Sequence, residues 1–536
     1  MHEVPFRCGR RRALCLLGAG GALVTGAGLR QVLAAGTPPA VIKAEAARPQ
    51  MPYGVMSGDI DADRAVIWSR CDRDARMLVD IATTASMRDA RRIVGPAALE
   101  DSDYTARVPL RDLASGQTHF YRVQFQSLAD PSILSAPLSG RFRTPGAAQR
   151  DLVFAFSGDE AGQGWGINEG WGGYRVYEAM RQFQPDFFIH SGDQIYADGP
   201  IVAEVKLDDG SIWKNIVTPA KSKVAETLAD YRGNFAYNLL DGNKRRFLAE
   251  VPMLVQWDDH ETRNNWYPGQ QIGAQDARYQ MRSASQLAAH GKRAMFEYNP
   301  MAFQANDPER VYRSFRMGPL LDVFMLDERS YRGPNTANRQ RAMGGDADFL
   351  GNTQLAWLQQ ALLDSRATWK VIASDMPLSL VIADLNPDAA PGTYEAWANG
   401  DSEAPSGREL EMAALLSFIK HKDIRNVVWV TADVHYASAT RYQPERAKFT
   451  EFKPFWEFVG GPINAGTFGP NALDDTFGPD VKFMSLPPGT APNRPPSDGL
   501  QFFGIGRIDA HSRALTMSLH DVSGTTLFKI ELPVEV

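Results

Sequence analysis

The chain has 536 residues, 44% of them hydrophobic and 22% charged, with 57 Lys+Arg against 63 Asp+Glu for a net charge of −6. This composition suits a globular protein of several domains and excludes a disordered or repetitive chain. The acidic excess gives no general attraction to nucleic acid, and the three cysteines (Cys8, Cys15, Cys71) form neither a disulfide scaffold nor a zinc site.

Residues 1–34 read as an export signal. Arg10, Arg11 and Arg12 precede an apolar, Gly-rich run from Ala13 to Leu29, and Val32-Leu33-Ala34 offers small residues for cleavage. Adjacent arginines before a run too short for a membrane span resemble a twin-arginine signal, with an ordinary secretory signal as the alternative. The twin-arginine export machinery is then a partner, and the expected location is periplasmic or secreted. The mature chain would keep 52 basic and 62 acidic residues, a net charge of −10, with Cys71 as its one thiol and no transmembrane segment.

A Pro- and Ala-rich linker covers residues 35–50. Residues 51–145 carry short runs rich in β-branched and aromatic residues, among them Ala65 to Ser69, Met77 to Ile81 and His119 to Phe125, separated by turn residues. They predict an all-β immunoglobulin- or fibronectin III-like sandwich with a core of its own, in which His119 is a strand residue.

From residue 146 to 536, apolar strands alternate with helix-like stretches, the signature of an α/β domain. Four strands end alike: Leu152 to Phe156 runs into Ser157-Gly158-Asp159, Asp186 to His190 into Ser191-Gly192-Asp193, Met253 to Trp257 into Asp258-Asp259-His260-Glu261, and Val427 to Thr431 into Ala432-Asp433-Val434-His435. Ligands in open α/β sheets bind beyond the carboxyl ends of strands, so these endings can converge on one site. Further strands are expected at Leu320 to Leu326 and Trp369 to Ser374, and a helix at Tyr174 to Phe183. So many carboxylates and imidazoles at strand ends would repel one another without a cation.

The strings Gly-Asp-Gln-Ile-Tyr-Ala-Asp at 192–198, Asp-Asp-His-Glu-Thr-Arg-Asn-Asn-Trp at 258–266 and Ala-Asp-Val-His at 432–435 resemble the metallophosphoesterase superfamily, and within it the alkaline phosphatase D (PhoD-like) family. Leu326 to Arg332, Trp456-Glu457-Phe458 and Gly461-Pro462 to Thr467 sit where that family carries similar strings. The resemblance spans residues 51–536 and implies an α/β metallophosphoesterase sandwich behind the all-β domain. It implies a secreted metal-dependent phosphatase or phosphodiesterase, in which a metal-bound hydroxide attacks a small-molecule, lipid or polymer phosphate ester.

Carried over, the resemblance makes Asp193 the carboxylate bridging two metal ions, Tyr196 and His435 ligands of the first, and Asp259 and Asp433 ligands of the second. His260 faces the scissile phosphate from outside the metal shell, and Arg329 and either Asn264 or Asn265 orient it. Asp258 and Glu261 are expected to hold neighbouring imidazoles. Asp159 stands where the family often has a cysteine, a hard oxygen replacing a soft sulfur. Fe(III) at the tyrosine side with Ca²⁺, Mn²⁺ or Mg²⁺ at the second position follows from the family and the donor set.

Two such metals roughly 3.5–4 Å apart polarise the phosphoryl group and stabilise entering and leaving oxygens. A serine elbow, P-loop and H-E-x-x-H helix are absent from the sequence. The competing readings are a purple-acid-phosphatase-like monoesterase and an inactive secreted binding protein on the same fold. Among the other histidines, His190 reads as a buried, hydrogen-bonded strand residue, and His290, His421, His511 and His520 as surface positions. Segments 199–250 and 384–410 read as loops over the site, and Trp165, Trp171, Trp266 and Trp397 either wall a pocket or pack ordinarily.

Overall fold

A computed structural model describes residues 45–148 and 150–535; the expected signal, 1–34, lies outside the described residues. Side-chain alternation sets the layers. Strand Leu152–Ser157 sends Leu152, Phe154 and Phe156 into one core and Val153 and Ala155 into another. Strand Trp369–Ala373 likewise divides Val371 from Ile372. Each strand is apolar on both faces because each sheet is covered on both sides.

Two sheets therefore lie face to face with helices outside. The first has nine strands in the order Thr526–Leu532, Leu515–Asp521, Phe502–Ile508, Leu152–Ser157, Phe187–Ser191, Met253–Gln256, Val55–Asp61, Arg64–Arg70 and Thr105–Leu110. The second has seven: Arg313–Arg316, Leu321–Met325, Trp369–Ala373, Val427–Thr431, Phe455–Val459, Ser438–Tyr442 and Pro479–Met484. Helices Arg175–Gln182, Leu228–Asn238, Gly242–Glu250 and Ala284–Tyr298 contribute to the core outside the first sheet, and Gly351–Asp364 and Glu409–His421 to that outside the second.

Strand Phe502–Ile508 fits against Leu152–Ser157 because it carries glycine where its partner carries phenylalanine. Gly504 pairs with Phe156 and Gly506 with Phe154, and a Cβ at either would lie 1.9 or 2.1 Å from the facing ring. The rings fill the space that the glycines leave.

The N-terminal residues do form a β-sandwich, but its two sheets have different fates. Arg91–Ala98, Ala75–Ala82, Thr118–Ser127 and Leu138–Arg143 make a separate four-stranded sheet. The opposing strands 55–61, 64–70 and 105–110 extend the nine-stranded sheet, joined to it through the parallel pairing of Gly58 with Met253. One hydrophobic cluster runs from Met77 and Tyr121 through Phe154 to Val371 and Phe458. The separate core expected for residues 51–145 is thus continuous with the core between the two large sheets.

Segment 199–250 is not all loop: residues 228–238 and 242–250 are helical. The first helix buries Tyr231, Asn234, Phe235, Ala236, Tyr237 and Asn238, polar and apolar residues together, so no amphipathic period appears in the sequence. His520 is also buried rather than on the surface, stacked on Phe503 with Nε2 2.8 Å from Ser518 Oγ. Trp266 and Trp397 are core residues.

Candidate metal centre

All four predicted strand endings meet at one edge. Strands 152–157, 187–191 and 253–256 are mutually parallel, as are 321–325, 369–373, 427–431 and 455–459, so each set delivers its carboxyl-end loops to one side. The sheets are laced there by the bridge between Glu160 and Asn464 and by Ile463 N–H donating to Gly158 O at 2.8 Å.

The backbone turns sharply where the candidate ligands sit. Asp159, Asp193, Asp433 and His435 have φ of 67°, 51°, 67° and 57°, the left-handed region that is uncommon for residues other than glycine. Such conformations gather where surrounding structure over-determines them, often at functional sites. Gly192, at φ 93°, brings the chain so close to the neighbouring ending that a Cβ would lie 2.5 Å from Asp258 Cβ. Glu261 fastens this crossing: its carboxylate accepts N–H bonds from Asp193 (3.2 Å), Gln194 (2.5 Å) and Asp258 (2.9 Å). It holds backbone, not the imidazole expected of it.

Two groups of potential ligand atoms result, each within 4.8 Å of one another: Asp159, Asp193 and His435, and Asp193, Asp259 and His260. Asp193 belongs to both. Tyr196 Oη lies 2.6 Å from His435 Nε2 and so beside the first group. His435 Nδ1 donates to Gly466 O at 2.5 Å, which leaves Nε2 as the bare nitrogen, and burial pushes this imidazole down to about 3. A neutral imidazole oriented through its far nitrogen is a ready metal ligand.

The carboxylates fit a cation. Both oxygens of Asp159 and Oδ1 of Asp259 are buried without a hydrogen-bond partner. Burial, with neighbouring carboxylates, holds the pKa of Asp159, Asp193 and Asp433 well above the ordinary range. Buried anions so placed require protons or metal ions. Asp433 falls outside the two compact groups, on the loop between strand 427–431 and His435.

His260 is braced from behind: Nδ1 lies 2.6 Å from Asp198 Oδ1, and Nε2 lies 3.8 Å from Asp259 Oδ1. Burial alone would lower its pKa, but Asp198 and Asp259 outweigh this and raise it to about 9. Asp198, which burial pushes up and His260 pulls down further, titrates at about 2. Asp198 is a positioning residue that the sequence reading left unassigned, although it closes the 192–198 string.

The other expected phosphate contacts are engaged elsewhere. Arg329 is fully buried; Nε donates to Asp258 Oδ1 (2.8 Å) and lies 3.3 Å from Asp375 Oδ2, while a terminal nitrogen donates to Glu395 Oε2 at 2.7 Å. Asp258 thus serves an arginine, not an imidazole. Asn264 Nδ2 donates to Asn386 Oδ1 (3.1 Å) and Asn265 Nδ2 to Asp384 Oδ1 (3.2 Å), so both amides tie segment 384–386 to the ligand loop. Asn265 N–H also donates to Asp259 Oδ2 at 2.5 Å. His190 is buried with Nε2 2.8 Å from Glu160, whose other oxygen accepts from Lys244 at 2.6 Å.

The model of the PhoD-like phosphatase family matches residues 154–519, and the model of that family's N-terminal domain matches residues 35–146. The chain belongs to the PhoD-like phosphatase family. It is therefore a phosphoric ester hydrolase, and its Asp/His cluster is the candidate metal site of a metal-dependent PhoD-like enzyme. The curated alkaline phosphatase D of Bacillus subtilis (strain 168) is 27% identical over 456 residues, 79% of this chain and 71% of that protein. A solved structure of PhoD shares the fold with a TM-score of 0.65 and 21% identity, over 91% of this chain and 92% of the other. A purple acid phosphatase, PPD1 from yellow lupin (Lupinus luteus) seeds, aligns at TM-score 0.54 and 12% identity over 91% and 74% of the two chains. The architecture expected from sequence, a metallophosphoesterase-like sandwich behind an all-β region, is the observed one, and the purple-acid-phosphatase alternative shares that architecture alone.

Proposed function

We propose that this PhoD-like enzyme hydrolyses phosphate mono- or diesters at two metal ions that share Asp193. The observation that carries the proposal is the membership of Asp193 in both ligand groups. Asp159, Tyr196 and His435 complete the first position; Asp259 and Asp433 serve the second. The phenol, the two carboxylates and the single imidazole favour Fe(III) at the first position, and an oxygen-rich second position favours Ca²⁺, with Mn²⁺ or Mg²⁺ as substitutes. Such a pair, when bound, supplies Lewis acidity and an activated water at neutral to alkaline pH.

The chain's own groups do the rest. Asp193 sets the spacing of the pair, and Gly466 O fixes the tautomer of His435. Asp198 keeps His260 Nδ1 protonated, so that Nε2–H can bond a phosphoryl oxygen or pass its proton to the departing oxygen. Arg329 acts behind this layer by holding Asp258 and Glu395 rather than by touching substrate.

We further propose export through the twin-arginine route to the periplasm or exterior, supported by Arg10 to Arg12 and the apolar run after them. Among the described residues no helix is long and apolar enough to cross a membrane. Metal analysis of protein recovered from its exported form, with a panel of mono- and diesters, tests the reading. Fewer than two bound metals at full activity would refute the shared-carboxylate mechanism.

A further inference from the structure

We propose that Phe468 and Leu385, with Leu473, form an apolar subsite at the mouth of the metal centre, which binds the alkyl or aryl group of the phosphate ester. The proposal rests on the phosphate-ester reading above and names a substrate class for that same site.

Three exposed apolar side chains lie on two neighbouring segments. Phe468 is 38% exposed, Leu473 39% and Leu385 85%. The segments run antiparallel side by side: Leu380 bridges to Leu473, Val381 N–H donates to Ala472 O at 2.9 Å, and Asn471 Nδ2 donates to Val381 O at 3.3 Å.

Both ends of the patch are tied to candidate ligands. The Phe468 ring packs on the His435 imidazole, centroids 4.6 Å apart, two residues beyond the Gly466 carbonyl that holds Nδ1. Leu385 sits between Asp384 and Asn386, whose side chains are bonded to Asn265 and Asn264; the Asn265 N–H in turn bonds Asp259. Phe468 thus stands on a candidate ligand of one position, and Leu385 on a segment bonded to the loop of the other. Exposed apolar groups rimmed by polar residues beside a reactive centre are a common form of ligand-binding surface.

The surrounding charges disfavour a second anionic group on the substrate. Arg278 is paired with Asp276 at 2.8 Å, Arg263 with Asp388 at 2.5 Å, and Arg494 with Asp208 and Asp498 at 2.6 Å each. These arginines are already neutralised, whereas the apolar faces are bare.

The test compares n-hexyl and ethyl esters, whose alcohols leave with nearly equal pKa, as phosphate monoesters and as methyl phosphodiesters. For metal-loaded wild type, kcat/KM should favour hexyl by roughly tenfold or more, the scale of discrimination by apolar contacts. Leu385→Ser and Phe468→Ala should bring the ratio within about threefold of one at unchanged metal content, mainly through KM for hexyl. Phe468→Leu should keep most of the preference. A wild-type ratio near one, or equal losses on both esters in the variants, overturns the subsite alone. Hydrolysis of neither ester by metal-loaded wild type overturns the phosphate-ester reading and the subsite with it. If Leu385→Ser leaves the ratio unchanged but abolishes co-sedimentation with phosphatidylcholine vesicles, the patch is a membrane-docking face and the proposal falls.

Discussion

Asp198, buried, and His260, partly buried, pair through Oδ1 and Nδ1 at 2.6 Å, which leaves the other imidazole nitrogen 3.8 Å from Asp259 Oδ1. If His260 acts on the substrate, His260→Ala should lower kcat by roughly 10²–10⁴ and leave metal content nearly intact. The loss should be smaller for a p-nitrophenyl ester, whose leaving group needs little protonation. Metal analysis of the variant decides the matter, because a ligand role would empty the second position. Asp198→Asn should give a milder defect with full metal occupancy.

Asp193→Asn should remove nearly all turnover and both metals, whereas His435→Ala should cost mainly the first. Inductively coupled plasma analysis of the three proteins gives the stoichiometries. Retention of two metals by Asp193→Asn would remove the residue from the bridging role.

Colour reports the first metal. A ferric ion bound by the Tyr196 phenolate would give a visible charge-transfer band that is absent from Tyr196→Phe. A colourless, fully active, iron-free enzyme would rule out iron and leave the two-position geometry standing.

Metal binding should release protons. Asp159, Asp193 and Asp433 have folded-state pKa values above their unfolded ones, chiefly through burial. At these three positions the metal-free fold holds more protons than the unfolded chain, so their contribution to stability should fall as pH rises towards and through the raised values. Thermal melts of metal-free protein from about pH 7 upward, above the range in which the depressed His435 gains stability with pH, should show Tm declining, with restoration by added metal. Calorimetry in buffers of different ionisation enthalpy should show proton release, and metal affinity should rise with pH. A metal-free Tm that climbs over this range would contradict the placement of these carboxylates.

Asp59 and Arg313 link the N-terminal strands to the second large sheet, Oδ1 to a terminal nitrogen at 2.8 Å, both buried. Removing one partner strands the other, so Asp59→Ala should cost about 3–5 kcal/mol of stability. A fragment from residue 146 onward should fail to fold as a soluble monomer, because strand 253–256 would lose one of its two parallel neighbours, Val55–Asp61, and become an open edge.

Much of this was legible because chemistry and period coincide. The ligand-bearing strands are uniformly apolar and stop at acidic residues, so Val427 to Thr431 was placed at its observed bounds and others within one residue or so. Of the expected site residues, Asp159, Asp193, Asp259, His260 and His435 lie together where strands end. What escaped depends on distances along the chain that no local pattern records. Asp384 and Asn386 bond Asn265 and Asn264 across more than a hundred residues, so the amides looked free for phosphate. Arg329 looked like a substrate contact because its partners Asp258 and Glu395 lie 71 and 66 residues away. The join at Gly58 and Met253 escaped for the same reason: an edge strand reads the same whether it ends a sandwich or continues a larger sheet.

The glycine-bearing strand 502–508 pairs beside the strand that leads to Asp159, and Ser157 Oγ donates to Phe502 O across 345 residues. At about 5–20 residues per second, a ribosome leaves that first strand without this neighbour for roughly 20–70 s. The nascent chain therefore has no finished metal cradle until its final eighth or so has been made. On the proposed metal reading, ion selection would be governed by the compartment in which the completed chain closes, and on the proposed export route that choice would precede departure.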